Sequence, residues 1–141
     1  ARAGNCIGGG DWTKYRILTD CSNSFLKNKN LIIRNPKSKR PWQHVFEPLL
    51  GYIMLGEKIF KNKYKKFNGA WNFGPNVSNH IRVEQFAKIL KRKMKSNSKL
   101  IVKLKKNDKR EKTQLDLKSQ KTKKLLGWRS FLNINQTFIF T

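Results

Sequence analysis

Apolar residues in this chain fall into short blocks divided by polar, glycine-bearing stretches. Residues 2–7 end in an apolar pair, Cys6-Ile7, and predict a short buried strand. Gly8-Gly9-Gly10-Asp11 follows as a loop, because three glycines lose too much backbone entropy to sit in an element. Residues 20–29 predict a short helix with Cys21, Phe25 and Leu26 inward, and Leu31-Ile32-Ile33 a strand that ends at the Asn35-Pro36 turn. The longest helical pattern covers residues 45–61. Val45, Leu49, Ile53 and Phe60 recur near helical spacing, and Leu50, Met54 and Leu55 widen the stripe, which calls for burial on more than one side. Pro48 is tolerated in the first turn. A strand over 70–73 closes at Gly74-Pro75. Val83, Phe86, Ala87, Leu90 and Met94 then form an amphipathic helix, with Asn79 as its candidate cap. Leu100, Val102 and Leu104 alternate with lysines, as a strand with one wet face does. A last helix over 119–126 stops at Gly127. Strands alternating with helices point to an α/β or α+β class. The strand at 2–7 and the helix at 45–61 ask for more partners than the chain supplies, which predicts a piece of a larger protein.

Composition alters this picture in two ways. Of the 141 residues, 38% are apolar, and four Trp and nine Phe supply large buried area, so a core is available. No apolar run is long enough to span a membrane, and no basic-then-apolar leader is visible. Cys6 and Cys21 form no CxxC and no Cys/His cluster, so no zinc site or disulfide framework is expected, and a reducing cytoplasm fits. The net charge of +24 raises nucleic-acid binding as a function. However, 24 lysines against 8 arginines, with 14 asparagines, is the composition an AT-biased coding sequence gives under any function. The basic run from Lys88 to Lys124 also lacks interleaved aromatics for base stacking. A freestanding basic nucleic-acid-binding module remains the alternative of another class.

Polar groups gather where strands end, which is where α/β sheets bind ligands. Four such stretches stand out: Asn5 with Gly8-Gly9-Gly10-Asp11-Trp12; Lys39-Arg40-Pro41-Trp42-Gln43-His44; Trp71-Asn72-Phe73-Gly74-Pro75; and the polar segment 107–114. Arg40 suits bidentate contact with a diphosphate. Asn5 offers both donor and acceptor, Asn72 stands beside a close-approach glycine, and Arg16 is a further candidate. Trp42 is expected in the core, and His44, at a helix start, as a satisfied cap rather than a base. Asp11 and Glu47 could form a carboxylate pair, but nothing in their spacing brings them together. Glu47 is expected to interact with the positive end of its own helix.

The strings ARAGNCIGGGDW, RILTD, IRNP, RPWQHVFEPLLGY, AWNFGP and LDLKSQKTKKLLGW resemble, in order along about residues 1 to 130, the C-terminal portion of the CDP-glucose 4,6-dehydratase family. That family lies within the extended short-chain dehydrogenase/reductases, the NAD-dependent epimerases and dehydratases of nucleotide sugars. GGGDW and RPWQHVFEP are its more specific strings; the general pattern is shared with epimerases, and another nucleotide-sugar epimerase or dehydratase stays open. Thr19, Cys6 and Lys118 depart from the family, which has Pro, Val and an acidic residue there.

The resemblance implies an α/β fold: the C-terminal, substrate-binding portion of a Rossmann-type enzyme. Residues 1–141 would hold the last elements of the Rossmann core plus the nucleotide-sugar lobe, with the N-terminal cofactor half missing and both ends cut. It implies conversion of CDP-glucose to CDP-4-keto-6-deoxyglucose and water, for deoxysugar and surface polysaccharide synthesis, by a cytoplasmic homo-oligomer. It assigns Asn5, Arg16, Arg40, Asn72 and Glu111 to the sugar nucleotide. NAD and the catalytic residues would belong upstream. Tyr15, Tyr52 and Tyr64 are followed four residues on by Thr19, Gly56 and Asn68, so the family's Tyr-x-x-x-Lys is not in this chain, and the chain alone is expected to be inactive.

Overall fold

The computed structural model describes residues 1–61, 66–103 and 115–141. The elements in order are β1 (Arg2–Ala3), β2 (Asn5–Ile7), α1 (Ile17–Leu26), β3 (Leu31–Ile33), β4 (Lys39–His44) and α2 (Phe46–Lys61). After these come β5 (Asn72–Phe73), a 3-10 turn (Val77–Asn79), β6 (His80–Arg82), α3 (Val83–Lys93), β7 (Leu100–Val102), α4 (Gln120–Leu126) and α5 (Ile134–Ile139). The α/β class holds. The chain forms two compact units: Ala1–Gly8, Pro41–His80 and Asp116–Thr141 make one, and Gly9–Arg40 with Ile81–Leu115 the other.

In the first unit β1 pairs in parallel with β5, Arg2 opposite Asn72 and Ala3 opposite Phe73. β2 pairs in parallel with β4, Asn5 opposite Trp42 and Ile7 opposite His44. The single strand expected over 2–7 is therefore two strands that take different partners. The break is at Gly4, where a Cβ would stand 2.6 Å from the Pro41 carbonyl oxygen. The core gathers Leu55, Phe67, Trp71, Phe73, Leu126 and Trp128, with Tyr52, Met54 and Ile59 packed against it. Phe73 meets Tyr52 and Trp128 edge-on at ring distances of 5.1 and 5.2 Å, the orientation that aligns positive ring edges with negative faces. Gly51 lets α2 lie directly on β5, since a Cβ there would come within 2.3 Å of the Phe73 ring. Helix α4 ends at left-handed Gly127 (φ 75°), as its sequence requires.

In the second unit β3 and β7 pair in parallel, Leu31 to Ile33 opposite Leu100 to Val102, and α1 packs on β3 and α3. Leu18, Cys21, Phe25, Leu31, Ile33, Phe86, Ala87 and Leu90 are buried. After α3, Ser96 Oγ lies within hydrogen-bond distance of the Phe25 carbonyl (3.3 Å) and of Ser98 Oγ (2.8 Å), and Ser98 Oγ donates to the Ser24 carbonyl (3.4 Å). The same two carbonyls also accept backbone N–H groups, Phe25 from Asn28 (3.2 Å) and Ser24 from Lys29 (2.8 Å), so serines and backbone together close the end of α1.

Several expectations are corrected. α1 starts at Ile17 rather than at residue 20; its N-cap is Arg16, which offers no side-chain acceptor, so the usual start signal is missing. Leu26 is exposed, not inward. Asn79 does not cap α3. It lies fully buried in the 3-10 turn with its amide donating to the Leu132 carbonyl (3.0 Å), and the α3 start is held instead by Gln85 Oε1 accepting from the Arg82 N–H (2.9 Å). The stretch Lys39–His44, expected as a polar loop, is strand β4. On β7, Ile101 and Val102 are both exposed, while Leu104 lies outside the described residues. Strand β6 and helix α5 had no counterpart in the sequence pattern.

Candidate functional site

Strand β4 is the spine of the polar constellation in the first unit. Pro41, Trp42, Gln43 and His44 are all buried there. Gln43 has no solvent exposure; its Nε2 donates to the Phe73 carbonyl (3.0 Å) and to Cys6 Sγ (3.6 Å), so one side chain ties β4 to both β2 and β5. Cys6 is exposed by surface area, yet partial desolvation pushes its thiol up against the lowering effect of the Gln43 hydrogen bond, with the Glu47 charge adding to the rise, which disfavours the thiolate a nucleophile needs. Cys21, in the core of the second unit, is pushed up to about 12 by burial.

His44 Nδ1 accepts from the Phe46 N–H (3.3 Å), which leaves Nε2 to carry the proton and donate to the Phe140 carbonyl (3.1 Å). Both ring nitrogens are thus committed. This is the satisfied histidine the sequence predicted, and it fastens the C-terminal residues beside β4.

Glu47 departs from expectation. It lies in the first turn of α2 but is wholly buried, and Oε1 accepts from Ser130 Oγ (2.7 Å), the Phe131 N–H (2.9 Å) and the Leu132 N–H (3.1 Å). Its backbone carbonyl accepts from Trp128 Nε1 (3.0 Å). Its main partners are residues 130–132 rather than the helix end alone. Asp11, in the second unit, has its own partner: Oδ1 accepts from the Thr13 N–H (3.0 Å), and hydrogen bonds from Thr13 hold its carboxyl below the usual range. Each carboxylate is therefore engaged on its own side of the unit boundary.

Among the sequence-predicted ligand residues, Asn5 is half-buried at the head of β2, opposite Trp42. Asn72 donates from Nδ2 to the Lys118 carbonyl (3.1 Å), while its buried Oδ1 has no partner among the described residues. Its own carbonyl accepts from Thr122 Oγ1 (2.5 Å). Asn72 therefore has a structural duty on one side of its amide. Arg40 is half-buried on β4 with Nη1 donating to the Lys39 carbonyl (2.9 Å), and Arg16 is exposed at the N-cap of α1. Asn5 and Asn72 belong to the first unit, Arg16 and Arg40 to the second. Glu111 and the segment 107–114 lie outside the described residues. Sequence reasoning missed the Gln43 and Glu47 networks, whose polar side chains carry no periodic signal.

The glycine loop does not fit a dinucleotide. Gly8 is buried against Val45, and α1 begins only at Ile17, so no helix N-terminus follows the glycines to receive a pyrophosphate. Among the described residues no cluster of His, Cys, Asp and Glu could hold a metal, and no helix is long and apolar enough to cross a membrane.

No family model matches the chain. A curated CDP-glucose 4,6-dehydratase from Salmonella typhimurium is 52% identical over 83 residues, which are 59% of this chain and 23% of that protein. The chain thus spans about a quarter of the relative's length. Among solved structures, a UDP-glucose 4-epimerase from Thermotoga maritima with UDP-glucose superposes with a TM-score of 0.80 at 18% identity, over 99% of this chain and 43% of that one. A UDP-glucuronic acid 4-epimerase from Bacillus cereus, in complex with UDP-glucuronic acid and NAD, gives 0.78 at 13% identity, over 99% and 42%. Taken together, the chain has the α/β fold of these epimerases over a part of their length, and 83 of its residues are similar in sequence to a CDP-glucose 4,6-dehydratase.

Proposed function

We propose that this chain is the nucleotide-sugar-binding part of a CDP-glucose 4,6-dehydratase. The observation that carries the reading is the 52% identity over 83 residues to such an enzyme. In this reading the first unit supplies the last elements of the Rossmann core and the second the substrate lobe. NAD is held by polypeptide outside the chain, since the glycine loop here has no helix N-terminus behind it. When bound, NAD supplies hydride transfer. The residues of this chain hold the substrate for it, and holding reacting groups in place is itself a large catalytic effect.

Arg40 has the central role. Its planar guanidinium offers paired donors to the diphosphate, and its place on a strand restricts its approach. Asn5 offers its amide to the sugar diphosphate, and Asn72 Oδ1 keeps an acceptor for a ligand donor. Arg16 and Glu111 complete the set of candidates. The working enzyme is a cytoplasmic homo-oligomer that serves deoxysugar synthesis, and the chain alone turns over no CDP-glucose.

The test is calorimetric titration of the chain with CDP-glucose, with UDP-glucose as comparison. Wild type is expected to prefer CDP-glucose. Arg40→Ala should weaken binding about tenfold or more, the size of a lost charge-assisted hydrogen bond pair. Unchanged affinity in Arg40→Ala would remove Arg40 from the site. Preference for UDP-glucose would move the assignment to an epimerase.

A further inference from the structure

The charge of the second unit is sorted along its elements. Asp20 and Glu84 stand in the first turns of α1 and α3. After Asp20 the sequence holds no acid until Glu47, and after Glu84 none until Asp108. The C-terminal ends of the two helices come together: Ser96 Oγ is 3.3 Å from the Phe25 carbonyl, Ser98 Oγ 3.4 Å from the Ser24 carbonyl, and the Lys99 N–H donates to Asn30 Oδ1 (3.3 Å). Lys27, Lys29, Arg92, Lys93, Lys95 and Lys99 are all exposed around this junction, and none is ion-paired among the described residues. A favourable interaction with the helix end accounts for Arg92 and Lys93, in the last turn of α3. It does not account for Lys29, Lys95 and Lys99, which stand past the helix ends, and Lys95 takes a left-handed φ of 51°, where glycine is the usual residue. Leu26, the last residue of α1, stands beside Lys27 and is 73% exposed. A lysine-rich composition supplies cations at every exposed position; it does not gather them at one end with the acids at the other.

We propose that this basic end of the second unit, with Leu26 as its apolar anchor, is a docking surface for an anionic lipid bilayer. A bilayer presents a plane of negative headgroups, which attracts clustered cations without demanding a fixed geometry, and each Lys or Arg near the surface strengthens the attachment about fivefold. An exposed apolar side chain among the cations adds a second hold at the headgroup boundary. A nucleic acid is the competing occupant. Five of the six cations are Lys rather than the fork-shaped Arg, and residues 26–30 and 91–99 contain no aromatic on which a base could stack. Leu26 gains nothing from a phosphate backbone. The surface also lies away from the candidate ligand residues of the same unit. Arg16 precedes α1 whereas these cations follow it, and Arg40 comes after β3 whereas Lys29 comes before it. Attachment at this end leaves both arginines uncovered.

The experiment sediments the full chain with mixed phosphatidylcholine/phosphatidylglycerol vesicles and with vesicles of phosphatidylcholine alone, at about 0.1 M salt, where the screening length is about 10 Å. Binding is expected to the mixed vesicles only, with release at about 1 M salt, where that length falls to about 3 Å. Lys27→Glu/Lys95→Glu/Lys99→Glu should cut the partition onto the mixed vesicles by about tenfold or more. Lys118→Glu/Lys124→Glu/Arg129→Glu, at exposed positions of the first unit, makes the same change in net charge and should retain most of the binding. Leu26→Ser leaves the charge as it is and should weaken vesicle binding a few-fold. All of these side chains are exposed, so each variant should keep the wild-type circular dichroism, which separates lost docking from lost folding. Four results would each overturn the proposal: no sedimentation of the wild-type chain with the mixed vesicles; equal losses in the two triple variants, which would make net charge alone responsible; vesicle binding indifferent to Leu26→Ser; or a Lys27/Lys95/Lys99 variant that loses duplex DNA but keeps the vesicles, which would assign the surface to nucleic acid.

Discussion

Glu47 is the residue whose burial has the largest consequence. One carboxylate oxygen accepts three hydrogen bonds from residues 130–132. Deleting the acceptor leaves a hydroxyl and two backbone N–H groups buried without partners, and each orphaned group costs about 1–3 kcal/mol. Glu47→Ala is therefore expected to lower unfolding free energy by about 3 kcal/mol or more in urea titrations. Glu47→Gln keeps an acceptor at Oε1 and should lose clearly less. Equal losses would mean that the negative charge, rather than the accepting oxygen, holds the segment. Gln43 works by the same logic with a neutral amide, as a cross-strand clamp between Cys6 and Phe73. Glu47 Oε1 and Gln43 Nε2 are engaged in these structural bonds, while the buried Glu47 Oε2 has no partner among the described residues.

At the scale of the element, α2 and β4 show what a sequence can and cannot disclose. The α2 boundaries were legible because an apolar pattern that long has no other outcome, and the face it shows to β5 follows from a single close approach at Gly51. Gly51→Ala pushes a methyl into the Phe73 ring, from which an ideal Cβ stands only 2.3 Å. Overpacking of this kind costs about 1–3 kcal/mol. Thermal denaturation should show the loss, whereas Gly56→Ala on the same helix, with open space at its Cβ, should be neutral or mildly stabilising through helix propensity. β4 was illegible for the opposite reason. Lys39-Arg40-Pro41-Trp42-Gln43-His44 has the polarity and the proline of a loop, and only tertiary partners for Gln43 and His44 make it a buried strand. Strand 2–7 failed similarly, since nothing local says that Gly4 sends its two halves to different partners. α5 did carry a local signal: Asn133 and Gln136 reciprocally cap its first turn. Of the candidate ligand residues, the sequence placed Asn5 and Asn72 on strands; Asn72's bond to Lys118 depends on a contact 46 residues away and was out of its reach.

At the scale of the whole molecule, the charge of +24 and the nucleotide-sugar reading make opposite demands on salt. Duplex DNA concentrates phosphates and their condensed counterions, so binding through six to ten phosphate contacts weakens by about 10³–10⁵ between 50 and 200 mM salt. A single diphosphate has no such counterion layer, and a guanidinium that meets it bidentately keeps much of its hydrogen bonding as salt rises. Lysines such as Lys88, which is ion-paired with Glu84 one helical turn away, are part of the helix's own surface charge. The chain should therefore bind a mixed-sequence duplex weakly at 50 mM salt and release it by 200 mM, as followed by fluorescence anisotropy. CDP-glucose affinity should change far less over the same range. Duplex binding that persists at 200 mM, joined to absent CDP-glucose binding, would make the positive charge the functional feature and the chain a nucleic-acid-binding module. The opposite pair of results makes the charge a property of composition, and leaves Arg40 as the cation that matters.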